Sequence, residues 1–103
     1  MTQLSSTANA PLDFNPSIGE SSKKIRAVGH KIGWLHSIAD EPGASFDITV
    51  KDALGRIKFE KKNCKTDTKE YGELINKETL LGENLEVVID NLQGAKKIQV
   101  FLN

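Results

Sequence analysis

The feature that most constrains this chain is a strict two-residue alternation in the segment SFDITVK. Apolar side chains stand at every second position, Phe46, Ile48 and Val50, with polar residues between them. A period of two is typical of a β-strand with one buried face. A short loop ending in glycine follows, and apolar residues then return at Ile57 and Phe59. This pattern predicts a β-hairpin that places all five apolar side chains in the core.

Other short apolar segments fit the same kind of structure. They cover, in chain order, residues 24–38, 71–81, 85–89 and 97–102. Polar or turn-forming stretches at residues 40–43, 63–69 and 90–95 separate them and are predicted to be turns or loops. Residues 71–81 could form a helical turn, an irregular strand, or both, and Gly33 inside the first segment indicates a bulge or bend. Five to seven short strands without a repeating helix pattern predict an all-β fold, a small antiparallel β-sandwich or jelly roll.

Length and charge exclude several classes of protein. The chain has 103 residues, enough for one domain, and its formal net charge is zero. A general nucleic-acid binder would usually be strongly basic, and a neutral chain has no electrostatic attraction to an anionic membrane. No apolar run approaches the roughly 20 residues that span a bilayer. We therefore expect neither nucleic acid nor membrane among its partners.

The first 22 residues differ in composition from the rest. They are rich in Ser, Thr, Asn, Ala and Pro and contain no Lys or Arg. Such a segment is expected to be extended or disordered when alone. We predict an extended N-terminal arm, residues 1–22, followed by a β-sandwich domain, residues 23–103. The apolar side chains that the arm could offer to a partner are Leu4, Leu12, Phe14 and Ile18.

Residue types that carry out catalysis or bind metals are scarce. His30 and His36 are six residues apart and could share one strand face, but zinc requires three or four ligands. Cys64 is the single cysteine, so it has no partner for an internal disulfide. Its neighbouring lysines could lower the pKa of the thiol, but a nucleophile also needs a base and an orienting group. We expect a non-enzymatic protein with no catalytic residue, metal or cofactor.

Three aromatic residues are candidates for a binding surface. Trp34, Tyr71 and Phe101 are not assigned to the core by alternation, so each could be exposed, buried, or part of a subunit interface. An exposed ring would suit a carbohydrate-binding β-sandwich module used for surface attachment. This is the alternative function that the residues leave open.

The segments KIGWLHSI, PGASFDITVKDALGRI, TLLG and the terminal KIQVFLN together carry a family resemblance. In this order they resemble small virion proteins of tailed bacteriophages, over residues 31–103, and the motifs are structural. The resemblance implies a decoration or cement protein on the capsid surface, assembled in the host cytoplasm. Its implied partners are the major capsid protein and copies of itself, in a homo-oligomer bound through the arm and sheet edges.

Overall fold

Two four-stranded antiparallel sheets pack face to face in this protein. The computed structural model describes residues 12–27, 30–66 and 68–102. The strands are β1 (Leu12–Phe14), β2 (Ser22–Arg26), β3 (Lys31–Ala39), β4 (Ser45–Asp52), β5 (Ile57–Lys65), β6 (Glu70–Glu78), β7 (Asn84–Gln93) and β8 (Ile98–Leu102). A 3-10 turn, Pro16–Ile18, connects β1 to β2. Among these residues no helix is long and apolar enough to cross a membrane.

The strand order is that of a jelly roll. The front sheet has the order β1-β8-β3-β6 and the back sheet the order β2-β7-β4-β5. The first strand pairs with the last, β1 with β8. The pairing then continues inward along the chain, β2 with β7, β3 with β6 and β4 with β5. This nested pairing is a long hairpin rolled into two sheets. The predicted all-β sandwich is confirmed.

The core lies between the two sheets, and the side chains of β4 that the alternation predicted to be buried point into it. Phe46, Ile48 and Val50 are at most 1% exposed. The front sheet supplies the opposite wall, including Leu35 and Val100, which are also buried. Burial of each such side chain is worth about 1.5–3 kcal/mol. The core therefore follows from period-two segments on both sheets.

Ile57 is not part of this core, contrary to the sequence-based prediction. Val50 pairs with Phe59, but the next residue, Lys51, pairs with Ile57, so β5 carries one extra residue at this point. Such a β-bulge reverses the side-chain alternation beyond it. Phe59 consequently packs against the core, whereas Ile57 is 55% exposed.

The N-terminal prediction needs a correction. Residues 12–14 form β1, with Leu12 opposite Val100 and Phe14 opposite Ile98 of the same chain. Phe14 is 1% exposed and belongs to the core. Since its side chain is buried in its own domain, the prediction that Phe14 binds a neighbouring subunit is wrong. Residues 12–22 are part of the sandwich, and not of an extended arm.

Three predicted boundaries also move. The turn predicted at 90–95 begins later, because β7 continues through Gln93. The segment at 63–69 was predicted to be a loop, but β5 continues through Lys65. The ambiguous segment beginning at Tyr71 lies mostly in β6, a strand with a bulge that ends at Glu78. Strands β5 and β6 are at sheet edges and have mostly exposed polar residues, which weakens the apolar alternation on which the prediction rested.

Candidate binding surfaces

A bulge in β6, opposite Gly33 of β3, lies beside the outward-facing Trp34. The pairing of β3 with β6 shifts between Ile32 and Trp34, and Asn76 on the partner strand has a positive φ of 52°. Ile32 is buried, while Trp34 is 43% exposed. The irregularity expected at Gly33 is present. Beside it, the indole faces away from the core.

Trp34 lies directly over a glycine of the next strand. A Cβ atom added to Gly72 would be 2.8 Å from Cζ2 of the indole, which is closer than atoms can pack. Leu74, opposite Trp34 on β6, is also exposed. The absence of a side chain at Gly72 therefore allows the ring to lie against the strand.

Two further rings, one on β3 and one on β8, continue this surface. The His36 ring stacks on Phe101 with centroids 5.8 Å apart and an interplanar angle of 27°. His36 is opposite both Phe101 on β8 and Gly72 on β6. We call this outward surface of the front sheet the aromatic face. Its members are Trp34, His36, Gly72, Leu74 and Phe101.

A row of mostly polar side chains borders the aromatic face. The strand pairings align Asp13, Gln99, Ile38 and Glu70 across all four strands. Gln99 Nε2 donates to Asp13 Oδ1 at 2.8 Å, and His36 Nε2 lies 2.7 Å from Glu70 Oε1. We call these four residues the acceptor row.

Four large apolar side chains are exposed at one end of the sandwich. Two adjacent elements supply them, the β4–β5 turn with the start of β5 and the β6–β7 loop, and each side chain is between 55% and 77% exposed. We call this surface the leucine end. Its members are Leu54, Ile57, Leu80 and Leu81.

Two carboxylates fix the backbone of this end. Asp52 Oδ1 accepts hydrogen bonds from the backbone N–H of Leu54 and of Arg56, both at 2.9 Å. Glu83 Oε1 accepts from the N–H of Leu80 at 2.9 Å. These backbone hydrogen bonds are the main cause that lowers the pKa of each carboxyl group. The loops that present Leu54 and Leu80 are therefore held by ionised acids.

An ion pair joins the two elements of the leucine end. Lys58 Nζ lies 3.1 Å from Glu83 Oε2 and donates to the carbonyl oxygen of Glu78 at 3.4 Å. A surface groove of about 400 Å³ lies beside it, and His30, Lys58, Glu78, Thr79 and Leu80 line it. The charge of Lys58 thus has partners within the chain.

The structure does not bring the site residues predicted from the sequence together on one surface. Trp34 and Phe101 both lie on the aromatic face, but Tyr71 points inward, packs edge-to-face on Phe46 and donates its hydroxyl hydrogen to Glu73. Its predicted interface role is therefore not supported by exposure. Of the four predicted arm residues, Ile18 is exposed, Leu12 packs against the core, Phe14 is buried, and Leu4 lies outside the described residues.

Cys64 does not have the environment of a reactive thiol. It is buried opposite Phe46, and its Sγ lies 3.7 Å from the carbonyl oxygen of Lys61. Burial raises the pKa of the thiol, which outweighs the lowering that the nearby lysine causes. Within the described part of the chain, no group of three or more His, Cys, Asp or Glu side chains is arranged to hold a metal ion.

Sequence reasoning missed the leucine end. Ile57 was assigned to the core, and Leu54 was read only as part of a turn. A signal was present, because large apolar residues stand inside the turn segments DALG and TLLG. Turns are normally polar, so a leucine in such a position favours an interaction surface.

Comparisons with known proteins identify no family. No family model and no curated protein matches the chain. It is similar to part of a family 32 glycoside hydrolase from Bifidobacterium adolescentis, with 15% identity, a TM-score of 0.47, and coverage of 70% of this chain and 11% of that one. It is also similar to part of the insecticidal delta-endotoxin Cry8Ea1 from Bacillus thuringiensis, with 14% identity, a TM-score of 0.49, and coverage of 90% and 19%.

A third similarity is to a GH26-CBM35 β-(1,4)-mannanase from Podospora anserina, with 10% identity, a TM-score of 0.35, and coverage of 80% and 19%. The chain spans less than a fifth of the length of each of these three proteins. At such low identity and TM-score these similarities carry no argument about function. The resemblance to phage decoration proteins stays a prediction.

Proposed function

We propose that this chain is a non-enzymatic structural subunit of a phage particle, which docks on the capsid lattice through the leucine end. The observation that carries the proposal is the exposure of Leu54, Ile57, Leu80 and Leu81 at one end of a domain whose core is already complete. Several large apolar side chains exposed at one end of a small domain favour a protein interface there. The virion motifs in the sequence suggest a capsid as the partner.

The chemistry of this end suits a protein partner. Burial of a leucine side chain is worth about 1.5–3 kcal/mol before the costs of association. Lys58 and Glu83 already pair with each other, so a docked partner would not leave either charge unpaired. On a capsid, many copies bind at once, and modest contacts at each site are sufficient.

The sheet edges offer further contacts with copies of the same chain. The outermost strands are β1 and β6 in the front sheet and β2 and β5 in the back sheet. An edge strand can pair with an extended segment of another chain. Because Phe14 and Leu12 contact the chain's own core, an arm that reaches a neighbour would have to lie within residues 1–11.

Co-sedimentation with capsids tests the proposal. The capsids are assembled from the major capsid protein encoded in the same genome. We expect the triple variant L54S/L80S/L81S to lose at least tenfold in binding, because it removes apolar contact area but no core residue. L74S is the matched control, since it removes an exposed leucine from the aromatic face, and it should bind like wild type. Equal binding by the triple variant and wild type, with both shown to be folded by circular dichroism, would refute docking through this end.

Deletion of residues 2–11 tests the arm separately. The variant keeps β1 and Phe14, so its fold should be retained. If the arm bridges neighbouring subunits, occupancy of the lattice falls and becomes less cooperative. Unchanged occupancy and cooperativity would show that the docking contacts lie within the sandwich domain and that the arm does not bridge subunits.

Glycan binding through the aromatic face is the second candidate function. It is favoured by the exposure of Trp34, whose indole lies over Gly72 at the surface of the front sheet. Aromatic rings at binding surfaces combine a large apolar area with little loss of conformational entropy. Jelly rolls occur both in viral capsids and in lectins, so the fold itself does not choose between the candidates. The two functions use different surfaces, and one chain could perform both.

A further inference from the structure

The exposed charge at the leucine end is mainly positive. Three segments meet at this end through the strand pairings, residues 24–31, 51–58 and 77–86. Among their described residues, five Lys or Arg residues are exposed, whereas Glu78 is the one exposed acid. We call these five residues the cationic border. Its members are Lys24, Arg26, Lys31, Arg56 and Lys77.

The cationic border adjoins the leucine end on two sides. On the β2 side, Lys24 lines a groove of about 380 Å³ together with Ala53 and Gly55 of the β4–β5 turn. On the β6 side, Lys31 is opposite Glu78, which precedes the β6–β7 loop. A partner that covers the leucines therefore comes close to these cations.

The acids of the same end are mostly engaged within the chain. Asp52 and Glu83 each accept backbone N–H groups and pair with a cation, and their side chains are 13% and 15% exposed. Glu86 is half-buried and is opposite Lys24 on one neighbouring strand and Lys51 on the other. An approaching surface consequently meets an excess of cations.

The opposite end of the sandwich has the reverse imbalance. The three segments of the leucine end contain seven Lys or Arg and four Asp or Glu. The described residues of the segments at the opposite end, 13–20, 40–47, 62–70 and 90–97, contain five Lys and seven Asp or Glu. The formal net charge of the whole chain is zero, so this is a difference between its two ends. Such polarity orients a molecule as it approaches a charged surface.

We infer that the leucine end docks on an apolar protein surface bordered by carboxylates. The inference rests on the docking function proposed above and specifies the chemistry of the partner. Complementary charge at the rim of a contact mainly speeds association, whereas burial of apolar side chains mainly slows dissociation. Carboxylates on the partner attract the cationic border, and the leucines then hold the complex.

A protein surface fits this charge pattern better than an anionic membrane. The four acids of this end stand among its cations along the same three segments. A uniformly negative lipid surface attracts the cations but repels each of these acids. A protein can place its carboxylates opposite the cations that lack an acid beside them and avoid the rest.

Association rates on immobilised capsids test the inference. The capsids are those used for co-sedimentation, and the rates are measured by biolayer interferometry at 50 and 300 mM NaCl. The test variant is K24Q/R26Q/K77Q, and the matched control K65Q/K69Q/K96Q removes the same amount of charge at the opposite end. At 50 mM NaCl we expect the test variant to associate at least about fivefold more slowly than wild type and to lose most of the salt dependence, whereas the control stays within about twofold.

The outcomes distinguish this inference from the docking function beneath it. Association of wild type that is independent of salt, or equally slow association of both variants, refutes the role of the cationic border. Docking itself then stands if L54S/L80S/L81S still loses binding. If wild type does not bind capsids, both fail. Leucine-dependent sedimentation with vesicles that contain anionic phosphatidylglycerol, without binding to capsids, also refutes both.

Thermal melts show whether each variant is folded. If the triple variant is unstable, R26Q and K96Q form the same comparison with one charge removed from each end. Equal association rates for these two folded variants refute the inference.

Discussion

Asp52 is the residue whose protonation should have the clearest effect on the leucine end. It accepts the backbone N–H groups of Leu54 and Arg56, and its Oδ2 also accepts from Arg56 Nε at 2.9 Å. The pKa of Asp52 is lowered from its ordinary value of 3.8, first by the Arg56 backbone hydrogen bond. The unfolded chain therefore binds the proton more readily than the folded one, and the stabilisation present above pH 4 is lost as the pH falls through the folded pKa.

We predict that D52N is less stable than wild type at pH 7 and loses less stability between pH 5 and pH 2.5. R56Q is the control, because it keeps both backbone hydrogen bonds to Asp52 and should retain most of the acid dependence. Urea denaturation at each pH measures the free energy of unfolding. If D52N and wild type show the same decline, Asp52 is not an origin of the acid sensitivity.

Gly72 determines the position of Trp34. A methyl group there would meet Cζ2 of the indole at 2.8 Å, so in G72A the ring must move off the strand. Trp34 is the single tryptophan of the chain, which makes its fluorescence specific to this site. We predict a red-shifted emission and stronger quenching by acrylamide for G72A. K51A, on the outer side of the back sheet, should leave the spectrum unchanged, and an unshifted spectrum for G72A would contradict the close packing of ring and glycine.

At the scale of the element, β1 shows where sequence reasoning about the N-terminal segment fails. Three residues are too few to display a period, so Phe14 resembled an isolated apolar residue in a polar segment. Its burial depends on β8, more than 80 residues later, which no local pattern reports. In contrast, β4 has clear alternation, and the burial of Phe46, Ile48 and Val50 was predicted correctly.

The bulges explain most of the remaining differences. Side-chain orientation after a bulge depends on the pairing of two strands, and one strand alone does not reveal it. Gly33 indicated an irregularity near Trp34, but the shift beside Ile57 had no such signal. Each binding surface contains a residue beside a bulge, Trp34 or Ile57, which is why the sequence did not predict how the members of either surface group together.

Replacement of Phe14 tests whether β1 belongs to the fold. We predict that F14A loses about 3–5 kcal/mol of unfolding free energy, the usual effect of emptying a buried phenylalanine site. I18A, in the same segment but exposed, should change the free energy by less than about 0.5 kcal/mol. If F14A is too unstable to purify, F14L leaves a smaller cavity and should show a smaller loss. Equal stability of F14A and I18A in urea denaturation would show that β1 does not contribute to the core.

At the scale of the whole molecule, the described strands β5 and β6 belong to different sheets and are not paired with each other. Two ion pairs between described side chains bridge this opening. Lys58 reaches Glu83 and the carbonyl of Glu78, and Lys61 Nζ lies 3.4 Å from Glu73 Oε1. The first bridge is better shielded, with side chains 21% and 15% exposed, compared with 46% and 30% for the second.

Double-mutant cycles at the two bridges test which one holds the sheets together. For Lys58 and Glu83 we predict a coupling energy of about 1 kcal/mol, because a shielded ion pair with an additional backbone acceptor is less screened by solvent. For Lys61 and Glu73 we predict about 0.3 kcal/mol, as for an exposed pair. The cycles use alanine variants and urea denaturation at low salt and at 0.5 M NaCl, where the second coupling should disappear first. A larger coupling at Lys61–Glu73 would show that the middle of the opening, and not the leucine end, is where the sheets are held together.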